Sequence, residues 1–261
     1  MSTYCISDIH GCFDQFIKML NLINFQESDE LYILGDIIDR GPKSAEMLWW
    51  AIREAPANVH FLLGNHEDMM NVASEHDTLT MRYGDSWSYN YGFETIQQIV
   101  HNEHYFDGWM EEILDWSRNL SYFYDINVRG CRFVLVHAGL QSKFGDCPQD
   151  STINGQEYPL ITIEDAPLQN RQAIIWDRTK WIADKHEWPF DVVCGHTPTC
   201  SIQFNILKEH KFDIKQESEG KIAHINGRKH LIDCGVNRGY YLGCLRLDDM
   251  VEFYVNGISK D

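Results

Sequence analysis

An α/β fold with two packed sheets is predicted by three features of the chain. Short apolar runs end repeatedly in polar or charged residues, most densely in Leu31-Tyr-Ile-Leu-Gly-Asp36-Ile-Ile-Asp39-Arg40-Gly41-Pro42. The first sixty residues alternate between such runs and stretches of helical spacing, which reads as β-α-β-α-β. Beyond Val192-Val193 the chain becomes a series of short apolar segments joined by Gly, Asn and Asp turns.

Residues 3–7 form the first strand, and residues 12–24 follow as a helix with Phe13, Phe16, Ile17, Leu20 and Ile23 on one face. Residues 31–34 make the second strand. Pro42 suits the first turn of the next helix, where a missing N–H costs nothing, and Met47, Leu48 and Ile52 give that helix its inward stripe. Residues 59–63 complete the run, so three neighbouring parallel strands with right-handed crossovers are expected. From about 68 to 119 the texture is polar and aromatic, with helices over 93–101 and 106–114, and is read as a helical insertion beside the site. Within it, Trp87-Ser-Tyr-Asn90-Tyr-Gly92 either lines a pocket or packs between helices. Residues 132–136 return to the first sheet, and the polar stretch 141–172, broken by Pro148, Pro159 and Pro167, loops away. Strands over 222–225, 230–233, 241–247 and 251–255 would form the second, antiparallel or mixed sheet.

At 261 residues, with 44% hydrophobic and 23% charged residues, the chain is read as a single globular domain, 1–261. Its formal net charge of −17 opposes association with nucleic acid or an anionic membrane. Eight cysteines are scattered without a Cys-x-x-Cys pair, and no secretory signal is read before Asp8, which suits reduced thiols in a cytoplasm. No apolar run reaches the 18 residues that a membrane span needs. An anionic substrate on so acidic a protein requires a locally positive site.

Four further runs repeat the design of the 31–42 stretch: Tyr4-Cys-Ile-Ser-Asp8-Ile-His10-Gly11, His60-Phe-Leu-Leu-Gly64-Asn65-His66-Glu67, Phe133-Val-Leu-Val-His137-Ala-Gly139 and Asp191-Val-Val-Cys-Gly195-His196-Thr197. Ligand crevices in α/β sheets lie beyond the carboxyl ends of strands, so these five ends are expected to share one site. Asp8 and His10, two residues apart, can grip one cation, Asp36 can bridge to a second, and Asn65, His137 and His196 can complete the second. Oxygen and imidazole donors without a thiolate favour manganese, iron or zinc. Other histidines, His60, His76, His101, His104, His186, His210, His224 and His230, lack this setting and are read as surface or satisfied core residues.

The ordered set Asp8-x-His10-Gly11, Gly35-Asp36-x-x-Asp39-Arg40-Gly41, Gly64-Asn65-His66-Glu67, His137-Ala-Gly139 and Gly195-His196 resembles the metallo-dependent phosphoprotein phosphatases, the calcineurin-like metallophosphoesterases. Ile232-Asp233-Cys-Gly235 and Leu242-Gly-Cys-Leu-Arg-Leu247 resemble the closing strands of the bacterial and phage branch. The resemblance implies a four-layer α/β/β/α sandwich with two divalent cations, manganese foremost, between its sheets. It assigns Asp8 and His10 to the first cation, Asp36 to the bridge, and Asn65, His137 and His196 to the second. It makes His66 the general acid, Asp39 its orienting partner, and Arg40 with Arg178 the phosphate clamp, Arg171 being a nearby competitor for Arg178.

Chemistry supports those roles. Phosphate-monoester hydrolysis can need acceleration of up to about 10²¹-fold, more than one group supplies. Two cations roughly 3.5–4 Å apart can activate water at neutral pH and screen the substrate's charge. Arg40 can lay a planar fork on two phosphate oxygens, or else pair structurally with Asp39.

The resemblance implies a serine/threonine phosphoprotein phosphatase, with phosphotyrosine as a further substrate. One alternative is a hydrolase of dinucleoside polyphosphates or other small phosphoesters. Asp39 speaks for the first, because the dinucleoside branch more often has Asn there. A non-catalytic interaction protein on the same scaffold is the remote alternative, disfavoured because every expected ligand is present. The eukaryotic branch's Pro-Asn-Tyr-Cys loop is missing, so its regulatory subunits are not expected as partners.

Overall fold

A computed structural model describes residues 1–75, 86–143, 152–153, 156–157 and 160–258. The chain opens with β1 (Thr3–Ile6), α1 (Phe13–Leu22), β2 (Glu30–Ile33), α2 (Ser44–Trp49) and β3 (Val59–Phe61). Helices α3 (Asn65–Glu75), α4 (Gly92–His101) and α5 (Trp109–Arg118) follow, then β4 (Phe123–Val128) and β5 (Cys131–Val136). A small ribbon of β6 (Thr152–Ile153) and β7 (Gln156–Glu157) precedes α6 (Arg171–Trp176), α7 (Thr179–Ala183) and β8 (Asp191–Cys194). The chain closes with α8 (Phe204–Glu209), β9 (Ile214–Gln216), β10 (Ala223–Ile225), β11 (Lys229–Leu231), β12 (Tyr241–Arg246) and β13 (Val251–Asn256).

The first sheet runs β13-β12-β1-β2-β3, and the second β4-β5-β8-β11-β10-β9. As expected, β1, β2 and β3 are parallel, with Cys5 opposite Tyr32 and Tyr32 opposite His60. Two sheet assignments differ from the sequence reading. Strand β5 lies in the second sheet, parallel to β8, and the hairpin β12-β13 returns to the first sheet, antiparallel to β1. Leu242 and Cys244 face one core while Leu245 faces another, so β12 is apolar on both sides and its sequence fits either sheet. Pairing of Cys5 with Leu245 decides the matter. Helix α6 begins at the very end of the stretch expected to be loop, and α7 follows beyond it; α6 is capped by Asn170 Oδ1, which accepts the Ala173 N–H at 2.8 Å.

Alternate residues of β1 show the layering. Tyr4 and Ile6 join Phe16, Met19, Leu48, Ile99 and Ile113 beneath the helices, whereas Cys5 joins Leu34, Leu62, Leu135, Val193 and Ile232 between the sheets. Beyond the second sheet, Val134, Val136 and Val192 pack on Ile174, Ile175 and Trp181 from α6 and α7. The order is therefore α/β/β/α, held by side chains whose full burial contributes about 1.5–3 kcal/mol each. No helix among the described residues is long and apolar enough to cross a membrane. The carboxyl ends of β1, β2 and β3 meet those of β5 and β8 across the sandwich.

Candidate metal centre

The loops leaving β1 and β2 are stitched by backbone bonds from Asp8 N to Gly35 O (3.2 Å), His10 N to Asp36 O (2.9 Å) and Gly11 N to Ile37 O (2.8 Å). The stitching bends the chain hard. Asp8, His10, Asp36, Asp39, Arg40 and His196 all have positive φ, between 47° and 69°, a region that costs non-glycine residues energy and collects at functional sites. Gly195 lets the His196 loop approach closely, since a Cβ there would overlap Ser7 and Asp8.

Glu67 locks the arrangement from below. One oxygen accepts the N–H groups of Asp36 (2.9 Å) and Gly64 (3.1 Å), and the other accepts that of Ile37 (2.9 Å). The sequence reading gave this residue no role. A signal was present: an acidic residue in the first turn of α3, reaching back to an N–H before the helix, as in a capping box.

Donor atoms converge from all five strand ends. His137 Nε2 lies 3.0 Å from Asn65 Oδ1 and 3.4 Å from Asp36 Oδ1, and His196 Nδ1 lies 2.7 Å from the same Asn65 oxygen. On the other side His10 Nε2 is 3.8 Å from Asp36 Oδ2 and 3.9 Å from Asp8 Oδ1. His10 and His137 each place Nδ1 on a backbone carbonyl, Ile38 O at 2.9 Å and Leu34 O at 2.6 Å, so Nε2 is the nitrogen that faces the cluster. Two groups of donors have their atoms within 4.8 Å of one another: His10, Asp36 and His66, and Asp36, His137 and His196. Asp36 belongs to both, as a bridge requires. Asp8 completes the His10 side without joining the tighter group.

The residues present fit a pair of divalent cations. Asp8 Oδ2 accepts from Ser7 Oγ and the His196 N–H, yet Asp8 Oδ1 is buried with no hydrogen-bond partner. Burial and neighbouring Asp36 push the Asp8 carboxyl up, with His137 pulling the other way. Burial also opposes protonation of His137, but Asp36 beside it outweighs this and raises the imidazole to about 9. A buried carboxylate oxygen without a partner is costly, and a cation held there would satisfy it.

His66 and Asp39 form a buried dyad, Nδ1 to Oδ2 at 2.6 Å. Arg40 does not pair with Asp39. Its Nη1 meets His10 Nε2 at 2.6 Å and its Nη2 meets His66 Nε2 at 2.8 Å, which puts the guanidinium over the centre. Arg178, between α6 and α7, is exposed, bonds through Nη1 to the His196 carbonyl (2.8 Å), and lies within the fields of Asp8, Asp36 and Arg40. Arg171 instead pairs with Asp68 of α3. A cavity of about 380 Å³ is lined by Gln141, Lys143, Asp177, Lys180 and Trp181 among others, none of them a residue of the donor cluster. Of the remaining histidines, His76 lies outside the described residues.

Fold and donor set define a metal-dependent phosphoesterase, and the model of the calcineurin-like phosphoesterases matches residues 1–215; the chain belongs to that family. Curated relatives include the symmetrical bis(5'-nucleosyl)-tetraphosphatase of Nitrosomonas europaea, 33% identical over 141 residues, 54% of this chain and 45% of that protein. The enzyme of the same name from Nitrosococcus oceani is 26% identical over 196 residues, 70% of this chain and 64% of that one. The chain thus spans about half to two thirds of the length of these relatives. Among solved structures, one described as a candidate diadenosine tetraphosphatase matches with TM-score 0.55 and 17% identity, covering 99% of this chain and 94% of that one. A serine/threonine phosphatase of Saccharomyces cerevisiae with similarity to human PP5 matches with TM-score 0.55 and 14% identity, covering 100% and 81%. At those identities the likeness is one of fold.

Proposed function

We propose that this phosphoesterase cleaves small phosphoric anhydrides and esters, with dinucleoside polyphosphates as the leading substrate class. The observation that carries the hydrolase reading is the convergence of Asp8, His10, Asp36, Asn65, His137 and His196 on one buried centre, with the orphaned Asp8 oxygen facing it. The substrate class is supported by the names of the curated relatives.

Two cations held by these six residues, manganese foremost and iron or zinc as alternatives, supply Lewis acidity, water activation and charge screening. The chain's own groups do the rest. Arg40 and Arg178 bring two guanidinium forks to the phosphoryl oxygens. Water adds to phosphorus, the bond to the leaving oxygen breaks, and a proton taken up at His66 Nε2, which accepts from Arg40 Nη2 in this structure, passes to that oxygen, while a water proton is released. Asp39 keeps the opposite ring nitrogen, Nδ1, protonated and the ring oriented.

A second reading, phosphoserine or phosphothreonine hydrolysis with phosphotyrosine as a lesser substrate, is favoured by the intact Asp39–His66 dyad. An alkoxide leaves far less readily than a nucleotide and depends more on an acid.

The deciding test is a side-by-side assay of manganese-loaded protein on diadenosine tetraphosphate, a phosphoserine peptide and a phosphotyrosine peptide. The leading reading expects kcat/KM on the dinucleotide to exceed the peptides by at least about 10-fold, the change that about 1.4 kcal/mol of transition-state binding gives. Preference for phosphoserine would move the assignment to the second reading. No turnover of any of the three, with two metals bound, would overturn both.

A further inference from the structure

We propose that Trp87 and Thr95, from the helical segment beside the site, are positioning residues that, through Asp39, fix the direction in which His66 presents its ring. The inference rests on the reading of His66 as proton donor given above.

Asp39 is fully buried, and its carboxylate is shared among three donors from distant parts of the chain. Oδ2 accepts His66 Nδ1–H at 2.6 Å and the Trp87 indole N–H at 2.9 Å, while Oδ1 accepts the Thr95 hydroxyl at 2.5 Å. Asp39 N donates to Ser44 Oγ at 3.0 Å. A carboxylate held at both oxygens and at its backbone cannot rotate, so the ring hydrogen-bonded to it cannot either.

The geometry delivering these donors is costly unless it is used. Trp87 is 2% exposed, and its ring lies so close to the Gly92 backbone that any Cβ there would overlap the indole. Tyr91 adopts a left-handed φ of 75°, and the N–H groups of Asn90 and Gly92 both close on the Trp87 carbonyl. Thr95 is 0% exposed in the first turn of α4, where a threonine would ordinarily bond back to its own helix. The same helix holds the neighbouring loop through Gln98, which accepts the Ser44 N–H at 2.5 Å and donates to the Gly41 carbonyl at 3.0 Å. Helix α4 is thereby fastened to the loop carrying Asp39 and Arg40.

Packing alone does not require these residue types. Phenylalanine would bury a comparable ring at 87, and valine matches threonine in shape at 95; what each substitution removes is a hydrogen-bond donor to Asp39. With fewer donors the carboxylate gains freedom to turn and His66 loses its fixed direction. The loss is felt most where the leaving oxygen needs a full proton.

The test is a leaving-group series of aryl phosphates, from p-nitrophenyl to phenyl phosphate, with manganese-loaded protein. Trp87→Phe and Thr95→Val are expected to keep kcat on p-nitrophenyl phosphate within about 2-fold and to lose about 10-fold on phenyl phosphate, a fraction of what a general acid supplies. Thr95→Ser, which restores the hydroxyl, should recover the wild-type series. In metal-free protein, the ¹H–¹⁵N resonance of the His66 Nδ1–H should move in Thr95→Val and return in Thr95→Ser. Equal losses along the series, or an unmoved resonance, overturn the proposal. His66→Asn and Asp39→Asn separate the two levels: if they show no leaving-group selectivity the reading of His66 falls, whereas if they do and the Trp87 and Thr95 variants do not, only the positioning role falls.

Discussion

At the strand ends Asp8, His10, Asp36, Asn65, His137 and His196 turn ligating atoms toward one another, and Asp8 Oδ1 has no hydrogen-bond partner. Across the sandwich a second set of histidines and carboxylates links the two sheets: Asp191 of β8, His230 of β11, His224 of β10 and Glu252 of β13. Here each acceptor meets a donor. His230 Nε2 is 3.1 Å from Asp191 Oδ1 and His224 Nε2 is 3.0 Å from Glu252 Oε1, so both rings carry a proton on Nε2. The two Nδ1 atoms lie 2.7 Å apart, so the rings also meet each other. Arg228 on Asp191, Tyr254 on Glu252, and Lys221 over the Tyr254 ring complete the surroundings. Similar residues thus make an open cluster in one place and a closed chain in the other. Convergent lone pairs, rather than histidine and carboxylate content, mark a metal centre.

The contrast breaks most sharply at Asp36. Asp36→Asn removes the charge shared by both donor groups, and we expect a loss of about 10²- to 10³-fold in kcat together with at least one metal per chain, the scale of removing a preorganised group from a reaction centre. Elemental analysis beside turnover checks it. Two metals retained with near-normal turnover would place the bridge elsewhere.

Arg40→Ala should act in between. Losing a charged two-pronged contact of about 1.5–3 kcal/mol predicts a fall in kcat/KM of about 10- to 100-fold for every substrate. Because Arg40 shares the His10 Nε2 lone pair, metal affinity measured by titration calorimetry should hold or rise. Weaker metal binding would mean that Arg40 supports the ligands rather than competing for one.

The smallest effect on activity belongs to the closed chain. Burial lowers the folded value of His230 below its ordinary 6.5, with the His224 bond partner adding to this and Asp191 opposing it. The unfolded chain therefore takes up a proton that the folded one refuses, and this contribution to stability is present above about pH 6.5 and is lost as pH falls through the folded value. His230→Asn should cost about 1–3 kcal/mol at pH 7 by unpairing buried partners, with turnover per folded molecule within about 2-fold of wild type. Urea unfolding at several pH values should also show a shallower acid loss than in wild type. A collapse of turnover at unchanged stability would tie this chain to the reaction.

Periodicity and strand-end chemistry determined much of this protein without any tertiary contact. The β-α-β-α-β opening, the five apolar runs and the Asp, His and Asn that end them are local facts, because a buried strand must be apolar and a sharp turn after it can present only the residues next in the chain. Sheet membership of β5 and β12 was decided by tertiary structure, since strands apolar on both faces suit any interior position and only pairing such as Cys5 with Leu245 chooses among them. The same holds for the partners of Asp39. Trp87 and Thr95 stand 48 and 56 residues away in a segment whose aromatic character reads equally as packing, and nothing local distinguishes an indole that fills space from one whose N–H reaches a buried carboxylate. His224 and His230, read as surface or satisfied core residues, find their partners only through the meeting of β8, β10, β11 and β13: hydrogen bonds and lone pairs are directional, and direction is fixed by the fold.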